Sequence, residues 1–319
     1  MIFLLCFISV ASTRSRLFDS ALEDVDDALI VFYSPAILKW LGEYLLETVE
    51  QFAYSKRPVT MCNTDDARQM TLVSSFNKFG VLLVSDPWPS FPLHESRVVQ
   101  LAHKTNRLYM LMSEQMTRSR VRDLFAKLVR MYPSTRIMHY SDANKKLATL
   151  LRPQAQQVVP FFPLLQNYER LWNRVKHFDV CTIGTASPRR SKIIKELLSR
   201  FGARFHEIRV FGEHRDIALS GCRVLVNLHA NDDYTILESI RCAPALVSGV
   251  LVVSENSLFG ERTALEQHIV FAQSIDLVNG VNDTLTKYAT LRGELLDFLK
   301  HRYTQTIHLT QPFLTLHDK

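Results

Sequence analysis

Residues 223–255 read RVLVNLHANDDYTILESIRCAPALVSGVLVVSE, and this stretch decides the predicted fold. Two apolar β-type runs flank an amphipathic helical stretch, which predicts a strand, a helix and a second, parallel strand. Polar residues lie where the runs end, Asn227 and His229 after the first, Ser254 and Glu255 after the second. Because ligands of an open α/β sheet bind beyond the carboxyl ends of its strands, these four residues are predicted to share one rim, the candidate active site.

The composition is that of a large folded protein, with 319 residues of which 47% are hydrophobic and 22% charged. At about 100–200 residues per domain, two domains are expected. Lysine and arginine outnumber the acidic residues by 38 to 32, for a net charge of +6. This mild excess suits an anionic ligand such as a nucleotide, but the basic residues do not cluster as a nucleic-acid-binding face requires. Nucleic acid is therefore not expected as a partner.

The five cysteines have no CxxC or Cys/His metal spacing, which argues against a disulfide framework and a zinc site. Cys181 and Cys222 fall in or beside apolar strands and are expected in the core.

The first eleven residues, MIFLLCFISVA, are too short to span a bilayer as a helix and are interpreted either as a buried first strand or as a signal peptide. The cysteine usage favours a cytoplasmic location, with the secretory lumen as the alternative if these residues are a signal.

Strand-like and helix-like segments alternate through the first half of the chain. The predicted strands are residues 28–33, 58–62, 80–85, 107–113 and 136–140, and the predicted helices are residues 35–53, 117–131 and 142–150. Short apolar runs with helices between them predict a doubly wound parallel sheet. Pro160 and Pro163 then interrupt regular structure, and the domain boundary is placed there. Residues 1–160 are predicted to form one Rossmann-like domain, and residues 161–319 a second Rossmann-like domain.

The same pattern restarts after the prolines. Ser187 is placed to cap a helix that has Pro188 at its first position, and Gly202 lies where that helix should end. Further strands are predicted at residues 180–183, 205–211, 223–228 and 249–253, with helices at residues 216–220 and 235–247. Two similar α/β halves joined by a linker imply a cleft between them, which is where small-molecule sites tend to occur.

The stretch VNLHANDDYTILESIRCAPALVSGVLVVSE resembles the donor-binding half of GT-B glycosyltransferases of family 1/4 type, particularly bacterial and giant-virus members with the pattern N-hydrophobic-H, LE..RI and G..VVSE. FDVCTIGTASPRRSKIIKELL resembles the opening of that family's second domain. LYMLMSEQ and IMHYSDANKKLATLLRPQAQQVVPFFP resemble its SEQ strand end and its entry to the linker. The resemblance covers roughly residues 107–275, about half the chain. It implies two Rossmann-like parallel-sheet domains that face a cleft, and a nucleotide-sugar as co-substrate.

A nucleotide-sugar carries a diphosphate, which requires cations and backbone N–H groups. The loop containing Gly184 and Thr185 leads into a helix amino end, which supplies a favourable dipole and free N–H groups. Arg189 and Arg190 add charge there, and the resemblance implies that Arg190 is the phosphate ligand, because a guanidinium binds phosphate oxygens in pairs. The alternative is a solvated basic helix face.

The resemblance also implies that Glu238, near the start of the next helix, binds the ribose hydroxyls, with Arg241 orienting its carboxylate. The alternative is a plain ion pair between Glu238 and Arg241 at helical i,i+3 spacing. His229 and Asn227 are expected to contact the sugar or a phosphate, and His229 is a candidate catalytic residue, although a satisfied core histidine is nearly as well supported. Ser254 and Glu255 are predicted either to line the donor site or to cap the following segment.

One departure from the family concerns its acidic residues. Many retaining GT-B enzymes carry two acidic residues eight positions apart, but the position eight residues before Glu238 is Ala230. Asp232 and Asp233 lie nearby without the expected spacing. The stereochemical course, the donor and the possibility of an inactive, binding-only descendant therefore stay open.

The first half is expected to bind the acceptor and supply the general base. Asp86 follows an apolar run, precedes Pro87 and Trp88, and is the candidate catalytic base, with a turn carboxylate as the alternative. Glu114 and Gln115 end a strand, and Ser141 and Asn144 follow another, so these residues are predicted to line the acceptor side of the cleft. Ser141 alone is better interpreted as a helix cap.

Together these patterns predict a glycosyltransferase that moves a sugar from a nucleotide-sugar to a glycan, lipid or protein acceptor, with membrane association possible. Stabilisation of the leaving diphosphate by cations and a helix amino end requires no metal, and no cofactor besides the nucleotide-sugar is expected. The alternatives are a non-catalytic nucleotide-sugar binding protein and a nucleotide-sugar epimerase of the same architecture.

Overall fold

The computed structural model describes residues 28–33, 59–63, 79–85, 108–112, 115–131, 136–149, 156–158, 165–210, 213–257 and 263–303. Several predictions fall on residues outside these ranges. They include the amino-terminal eleven residues, the predicted helix at residues 35–53, Asp86 and Glu114.

The first part of the chain forms a six-stranded sheet in which every neighbouring pair is parallel. Its spatial order is β2-β1-β3-β4-β5-β6. The strands are β1 (Ala28–Tyr33), β2 (Val59–Asn63), β3 (Phe79–Ser85), β4 (Leu108–Met112), β5 (Arg136–His139) and β6 (Gln156–Val158). Among the described residues, helix α1 (Ser119–Met131) connects β4 to β5, and helix α2 (Asp142–Thr149) connects β5 to β6. Parallel strands with helical crossovers confirm the α/β character predicted for this half.

The second part forms a separate five-stranded parallel sheet. Its order is β11-β10-β9-β7-β8. The strands are β7 (Phe178–Ile183), β8 (Phe205–Ile208), β9 (Cys222–Asn227), β10 (Leu251–Glu255) and β11 (Ile269–Ala272). The helices are α3 (Leu165–Tyr168), α4 (Pro188–Phe201), α5 (Glu213–Ser220), α6 (Ser239–Val247), α7 (Leu277–Thr286) and α8 (Tyr288–His301). The division of the chain at residues 160 and 161 stays a prediction.

Burial explains why β9 and β10 are almost continuously apolar. All five residues of β10 are buried, and in β9 only Arg223 is exposed. A central strand of a parallel sheet is covered on both faces by helices and therefore does not alternate between apolar and polar side chains. Leu246 of α6 and Val281 of α7 are fully buried in the same cluster as Val253 of β10. Truncating one such side chain to alanine typically costs about 2–5 kcal/mol.

The ends of α4 follow the predicted capping chemistry. Ser187 is in an extended conformation, its Oγ accepts a hydrogen bond from the backbone N–H of Arg190, and Pro188 occupies the first turn. Gly202 ends the helix with a positive φ of 53°. Both predicted caps are confirmed.

Helix α6 differs from its prediction, because it begins at Ser239 rather than at residue 235. The backbone N–H of Ile236 is bound to the Gln115 side chain, and Ile236 is buried, so the segment before the helix is held by a tertiary contact. Glu238 is consequently the residue that precedes the first helical turn.

The cysteine prediction was only partly right. Cys181 of β7 and Cys222 of β9 are both fully buried, as expected of core residues. The structure also joins them in a disulfide between neighbouring strands, with Cα atoms 6.1 Å apart. The expectation against disulfides was therefore wrong for this pair. Cys242, by contrast, is a buried free thiol.

Candidate functional site

The candidate site lies at a switch point of the second sheet, where β7 has β8 on one side and β9 on the other. The chain leaves β7 towards β8 and then crosses back to form β9, so the connections on the two sides of β7 diverge. Such a divergence opens a crevice at the carboxyl ends of the strands, the usual ligand position in open α/β sheets. Gly184 directly follows β7, and Leu228 directly follows β9. The loops predicted to bind a ligand therefore flank the crevice.

The loop after β7 must have glycine at position 184. Gly184 has a φ of 132°, in the region that side chains other than glycine rarely adopt. A Cβ atom there would lie 2.5 Å from Nη1 and 3.0 Å from Cζ of Arg190. The absence of a side chain thus lets the guanidinium of α4 pass directly against the loop backbone.

Arg190 is buried, with 3% of its surface exposed, and it joins the two loops. Its Nε and Nη2 donate to the carbonyl oxygen of Leu228 at 3.0 and 2.8 Å, and its Nη1 donates to that of Thr185 at 3.0 Å. Burial, and then the neighbouring Arg241, lower the pKa of Arg190 to about 10. The guanidinium is still charged at neutral pH, so a buried positive charge lies in the crevice.

The peptide unit between Leu228 and His229 is bound at both ends. Its carbonyl oxygen accepts from Arg190 and also from Nη1 of Arg241 at 3.3 Å. Its N–H donates to Oε2 of Glu255 at 2.6 Å. Cations thus contact the oxygen and an anion contacts the N–H, which matches the direction of the peptide dipole. This arrangement fixes the backbone where the chain leaves β9.

Arg189, next to Arg190 on α4, forms a second charged cluster. Its Nη1 and Nη2 donate to the two carboxylate oxygens of Glu255 at 2.7 and 2.5 Å. Its Nε donates to Asp232 at 2.9 Å, and its Nη1 also lies 3.3 Å from the carbonyl oxygen of His229. The Arg189 side chain is 26% exposed and that of Asp232 is 95% exposed. The hydrogen bond to Glu255, more than any other interaction, raises the pKa of Arg189.

Glu255, at the end of β10, is a buried carboxylate whose partners lie on two other elements. Burial acts to raise its pKa, but the hydrogen bonds from Arg189 and from the His229 N–H outweigh burial and leave the pKa below its ordinary value. Glu255 is therefore ionised at neutral pH. It links the start of α4 to the loop after β9. A residue that only capped the following segment would not make these contacts.

Glu238 faces the same group of cations. Its carboxylate pairs with Arg241 at i,i+3 spacing, the alternative considered from the sequence, and its Oε2 lies 3.8 Å from Nη2 of Arg190. The Glu238 side chain is 16% exposed, so it retains a solvent-facing surface. Its predicted role in ribose binding stays a prediction, but its position beside the crevice is now defined.

Asn227 and Ser254 tie the ends of β9 and β10 together. They are register partners, and Nδ2 of Asn227 donates to Oγ of Ser254 at 3.0 Å. Oδ1 of Asn227 accepts from Nη1 of Arg241 at 2.9 Å. Both side chains are fully buried. In this structure they support the rim beneath the charged residues.

His229 is also buried, with 4% of its surface exposed. Its Nε2 lies 3.3 Å from the carbonyl oxygen of Asn256, just beyond β10. Its Nδ1 is buried and has no hydrogen-bond partner among the residues that the structure describes. Burial is the largest of the effects that lower the pKa of this ring, and Glu238 and Glu255 partly oppose it.

Of the predicted acceptor-side residues in the described ranges, Gln115 makes a buried contact with the loop before α6. The Gln115 side chain donates to the Ile236 carbonyl at 2.9 Å and accepts from the Ile236 N–H at 3.0 Å. Oδ1 of Asn144 accepts from the Met116 N–H at 2.8 Å, and Oγ of Ser141 accepts from the Asn144 N–H as a helix cap does. Gln115 and Asn144 are buried. Acceptor binding by Ser141 and Asn144 stays a prediction.

Two contributors were not anticipated from the sequence. Asp232 was noted in the sequence for its spacing from Glu238, yet it pairs with Arg189 across 43 residues. Tyr234 lies under the guanidinium of Arg118, with Cζ 5.0 Å from the ring centroid. Neither contact has a local sequence signal, because each depends on how distant segments come together.

Two further findings concern metal binding and membrane spans within the described ranges. No three histidine, cysteine or acidic side chains there are grouped so that they could hold a metal ion. No helix in that part of the chain is long and apolar enough to cross a bilayer.

The fold and the site can now be compared with known proteins. An α-glucosyltransferase in complex with UDP and DNA containing an HMU base superposes with a TM-score of 0.62 at 13% identity, covering 90% of this chain and 99% of that one. The Anabaena protein HepE in complex with UDP and glucose gives a TM-score of 0.56 at 12% identity, covering 91% and 100%. T4 phage β-glucosyltransferase gives 0.53 at 12% identity, covering 92% and 100%. The chain therefore has the fold of GT-B glycosyltransferases that use nucleotide-sugars, which confirms the resemblance at the level of fold.

Sequence relatives carry no functional description. No protein-family model matches the chain. Uncharacterized protein R358 of Acanthamoeba polyphaga mimivirus is 33% identical over 115 residues, 35% of this chain and 40% of the relative. Uncharacterized protein L137 of the same virus is 24% identical over 276 residues, 84% of this chain and 35% of the relative. The chain spans only 24% to 40% of the length of the curated relatives it matches.

One prediction is overturned by these comparisons. Nucleic acid was excluded as a partner because the basic residues do not cluster along the sequence. That exclusion was wrong, because the fold is shared with the α-glucosyltransferase solved with DNA and with a DNA-modifying β-glucosyltransferase. Charge clustering along a sequence is a poor guide when the basic residues of separate elements meet only in the folded protein.

Proposed function

We propose that this chain is a glycosyltransferase that binds a nucleotide-sugar, such as a UDP-sugar, at the switch point of its second sheet. The observation that carries the proposal is the convergence of three features on that crevice. They are the Gly184 loop leading into the amino end of α4, the adjacent cations Arg189 and Arg190, and the partly exposed carboxylate of Glu238. A diphosphate and a ribose require these groups side by side.

Within this site we assign the direct phosphate contact to Arg189. Its side chain is 26% exposed, whereas that of Arg190 is 4% exposed and already donates to two carbonyl groups. Arg190 shapes the loop and adds positive potential from beneath. The exposed Asp232 carboxylate accepts from Arg189, and the incoming diphosphate replaces it, since an ion pair with so exposed a partner is weak.

The reaction needs no metal in this proposal. Arg189, Arg190 and the amino end of α4 stabilise the negative charge that develops on the leaving diphosphate. Activity that survives EDTA supports this view. Because one structural neighbour was solved with UDP and Mn²⁺, the same assay includes an arm with added Mn²⁺, and dependence on that metal would contradict the proposal.

The test is a thermal-shift and calorimetry screen with UDP-, GDP-, ADP- and CMP-sugars. We expect one nucleotide class to stabilise the wild type, and Arg189→Ala, Arg190→Ala and Glu238→Gln to reduce that stabilisation. Lys195→Ala and Glu196→Gln are matched controls, because both residues are exposed on the same helix. Stabilisation that is undiminished in all three site variants would remove the assignment.

A nucleic-acid acceptor is a second candidate, favoured by the net charge of +6 together with the DNA-bound neighbour. The first measurement is transfer of labelled sugar to DNA containing an HMU base, with unmodified DNA and a mixed glycan acceptor as comparisons. Transfer to the HMU-containing DNA alone supports this acceptor. Transfer to the glycan alone excludes it, and nucleotide-sugar binding without transfer or hydrolysis supports the non-catalytic binding protein instead.

A further inference from the structure

Among the described residues, the His229 ring has a hydrogen-bond partner at one nitrogen only. Its Nε2 lies 3.3 Å from the carbonyl oxygen of Asn256, while Nδ1 is buried without a hydrogen-bond partner in the part of the chain that the structure describes. With only 4% of the residue exposed, bulk water does not satisfy that nitrogen freely. Leaving a buried polar atom unpaired typically costs about 1–3 kcal/mol, so the feature requires an explanation.

The Asn256 contact determines the tautomer of the ring. A carbonyl oxygen only accepts hydrogen bonds, so Nε2 must carry the proton in this contact. In a neutral ring Nδ1 is then a lone-pair acceptor. Burial lowers the pKa of His229 and Arg189 lowers it further, while Glu238 and Glu255 oppose the shift without reversing it. The ring is therefore neutral at physiological pH, and Nδ1 is suited to a hydroxyl or N–H donor rather than to a phosphate.

The backbone of His229 lies against the charged residues of the proposed donor site. Its N–H donates to Glu255, and its carbonyl oxygen lies 3.3 Å from Nη1 of Arg189, the residue to which we assign the phosphate contact. The next group along a nucleotide-sugar after the diphosphate is the sugar, which carries several hydroxyl donors. A buried acceptor beside the diphosphate site is therefore chemically matched to a sugar hydroxyl.

We propose that Nδ1 of His229 accepts a hydrogen bond from one hydroxyl of the sugar in the nucleotide-sugar, which makes His229 a residue that selects the donor sugar. This inference rests on the proposed function. It assigns His229 to recognition of the sugar and not to proton transfer. Ribose hydroxyls share the same chemistry, so the experiment must separate the two sources.

The test uses His229→Asn and His229→Gln with UDP and UDP-glucose as probes in calorimetry. The Asn side chain can place its amide oxygen near the position of Nδ1 and so keep the acceptor, whereas Gln can keep the donor to Asn256 but loses the acceptor. We expect the affinity for UDP to stay within about twofold of wild type in both variants. The affinity for UDP-glucose should fall about tenfold in His229→Gln and less than about threefold in His229→Asn.

A series of UDP-glucose analogues, each lacking one sugar hydroxyl, supplies a readout that does not depend on mutant folding. On the wild type, one analogue should bind about tenfold more weakly than UDP-glucose, and on His229→Gln the same analogue should lose almost nothing further. Equal weakening of UDP-glucose in both variants would overturn the inference, as would a parallel loss of UDP affinity, which points to ribose. Equal binding of all analogues by the wild type would also overturn it.

The proposed function and the inference about His229 fail under different outcomes. If the wild type binds neither UDP nor UDP-glucose, nor any other nucleotide-sugar of the screen, the proposed function fails and the inference fails with it. If the wild type binds UDP-glucose and UDP equally well, the donor site stands but contacts to the sugar are absent, and only the inference is lost.

Discussion

Arg189 and Glu255 form a two-pronged ion pair that joins the start of α4 to the end of β10, with N–O distances of 2.7 and 2.5 Å. The carboxylate is 3% exposed and the guanidinium 26% exposed, so the pair lies between a surface contact and a buried one. Paired hydrogen bonds fix orientation as well as distance. The pair therefore holds Arg189 in one position at the mouth of the crevice.

Glu255→Gln should destabilise the fold by about 2 kcal/mol. This value lies between the 0–1 kcal/mol of exposed pairs and the 3–5 kcal/mol of broken buried pairs. The measurement is urea-induced unfolding at pH 7. Glu207→Gln is the matched control, because Glu207 pairs with Arg209 at 2.8 Å while the Arg209 side chain is 75% exposed. A similar loss of unfolding free energy in both variants would contradict the larger contribution assigned to the mostly buried Glu255 pair.

Asp232→Asn should tighten UDP binding by about threefold. Asp232 is 95% exposed and accepts from Arg189, so its carboxylate competes with the diphosphate for the same cation. Exposed pairs contribute about 0.2–1 kcal/mol, which corresponds to a factor of at most about five. Calorimetry at low ionic strength measures the change, with Asp233→Asn, the exposed neighbour, as the control. Weaker UDP binding in Asp232→Asn would instead make Asp232 part of the ligand site.

Gly184→Ala should cost about 2–3 kcal/mol of stability and reduce nucleotide binding. The φ of 132° is strained for alanine, and the added Cβ would lie 2.5 Å from Nη1 of Arg190. Gly293→Ala is the opposite case, because Gly293 lies within α8 and an added Cβ there has no atom within 4 Å. That substitution should stabilise the protein by about 0.5–1 kcal/mol. Thermal unfolding with and without UDP distinguishes the two effects.

Stability should fall as pH is lowered below about 6.5, in part through His229. The folded protein lowers the pKa of this ring from its ordinary value of 6.5, chiefly by burial and also through Arg189, against the opposing charges of Glu238 and Glu255. The unfolded chain therefore binds the proton more readily, and the stabilisation present above pH 6.5 is lost as the pH falls towards the folded pKa. Urea unfolding between pH 7.5 and 5 measures this slope.

The variants for this pH series are His229→Asn and His301→Asn. The first should flatten the slope, because it removes the group whose pKa differs between the folded and unfolded chains. The second should keep the wild-type slope, because the His301 side chain is 69% exposed. Identical slopes in wild type and His229→Asn would assign the acid sensitivity to other groups.

The sequence predicted strands β1 to β5 and β7 to β10, because central parallel strands are continuous apolar runs ended by polar residues, but it did not predict the edge strands β6 and β11. β1 matches its predicted bounds, and both ends of α4 were visible from Ser187, Pro188 and Gly202. The start of α6 was misplaced, because the Gln115 side chain that binds the Ile236 backbone is 121 residues away. Local propensity carries no information about such a contact.

The candidate site was predictable as a set of residues but not as a set of partners. The principle that ligands bind beyond the carboxyl ends of parallel strands was enough to group His229 with Glu255. That principle did not indicate that Arg190 would be buried and donate to two carbonyl oxygens. Nor did it indicate that Arg189 would bind Glu255 and Asp232. Adjacent helix residues differ by about 100° in direction, so which arginine faces inward depends on how α4 packs against the sheet.

The peptide unit between Leu228 and His229 is a contact point that side-chain substitution at these two residues does not remove. Its carbonyl oxygen accepts hydrogen bonds from Arg190 and Arg241, and its N–H donates to Glu255. None of these bonds involves the Leu228 side chain. An alanine scan would therefore pass over the atoms on which the surrounding charges converge. Replacing this amide with an ester, by semisynthesis, removes the N–H and weakens the carbonyl acceptor at once, and so addresses the junction that side-chain substitution leaves intact.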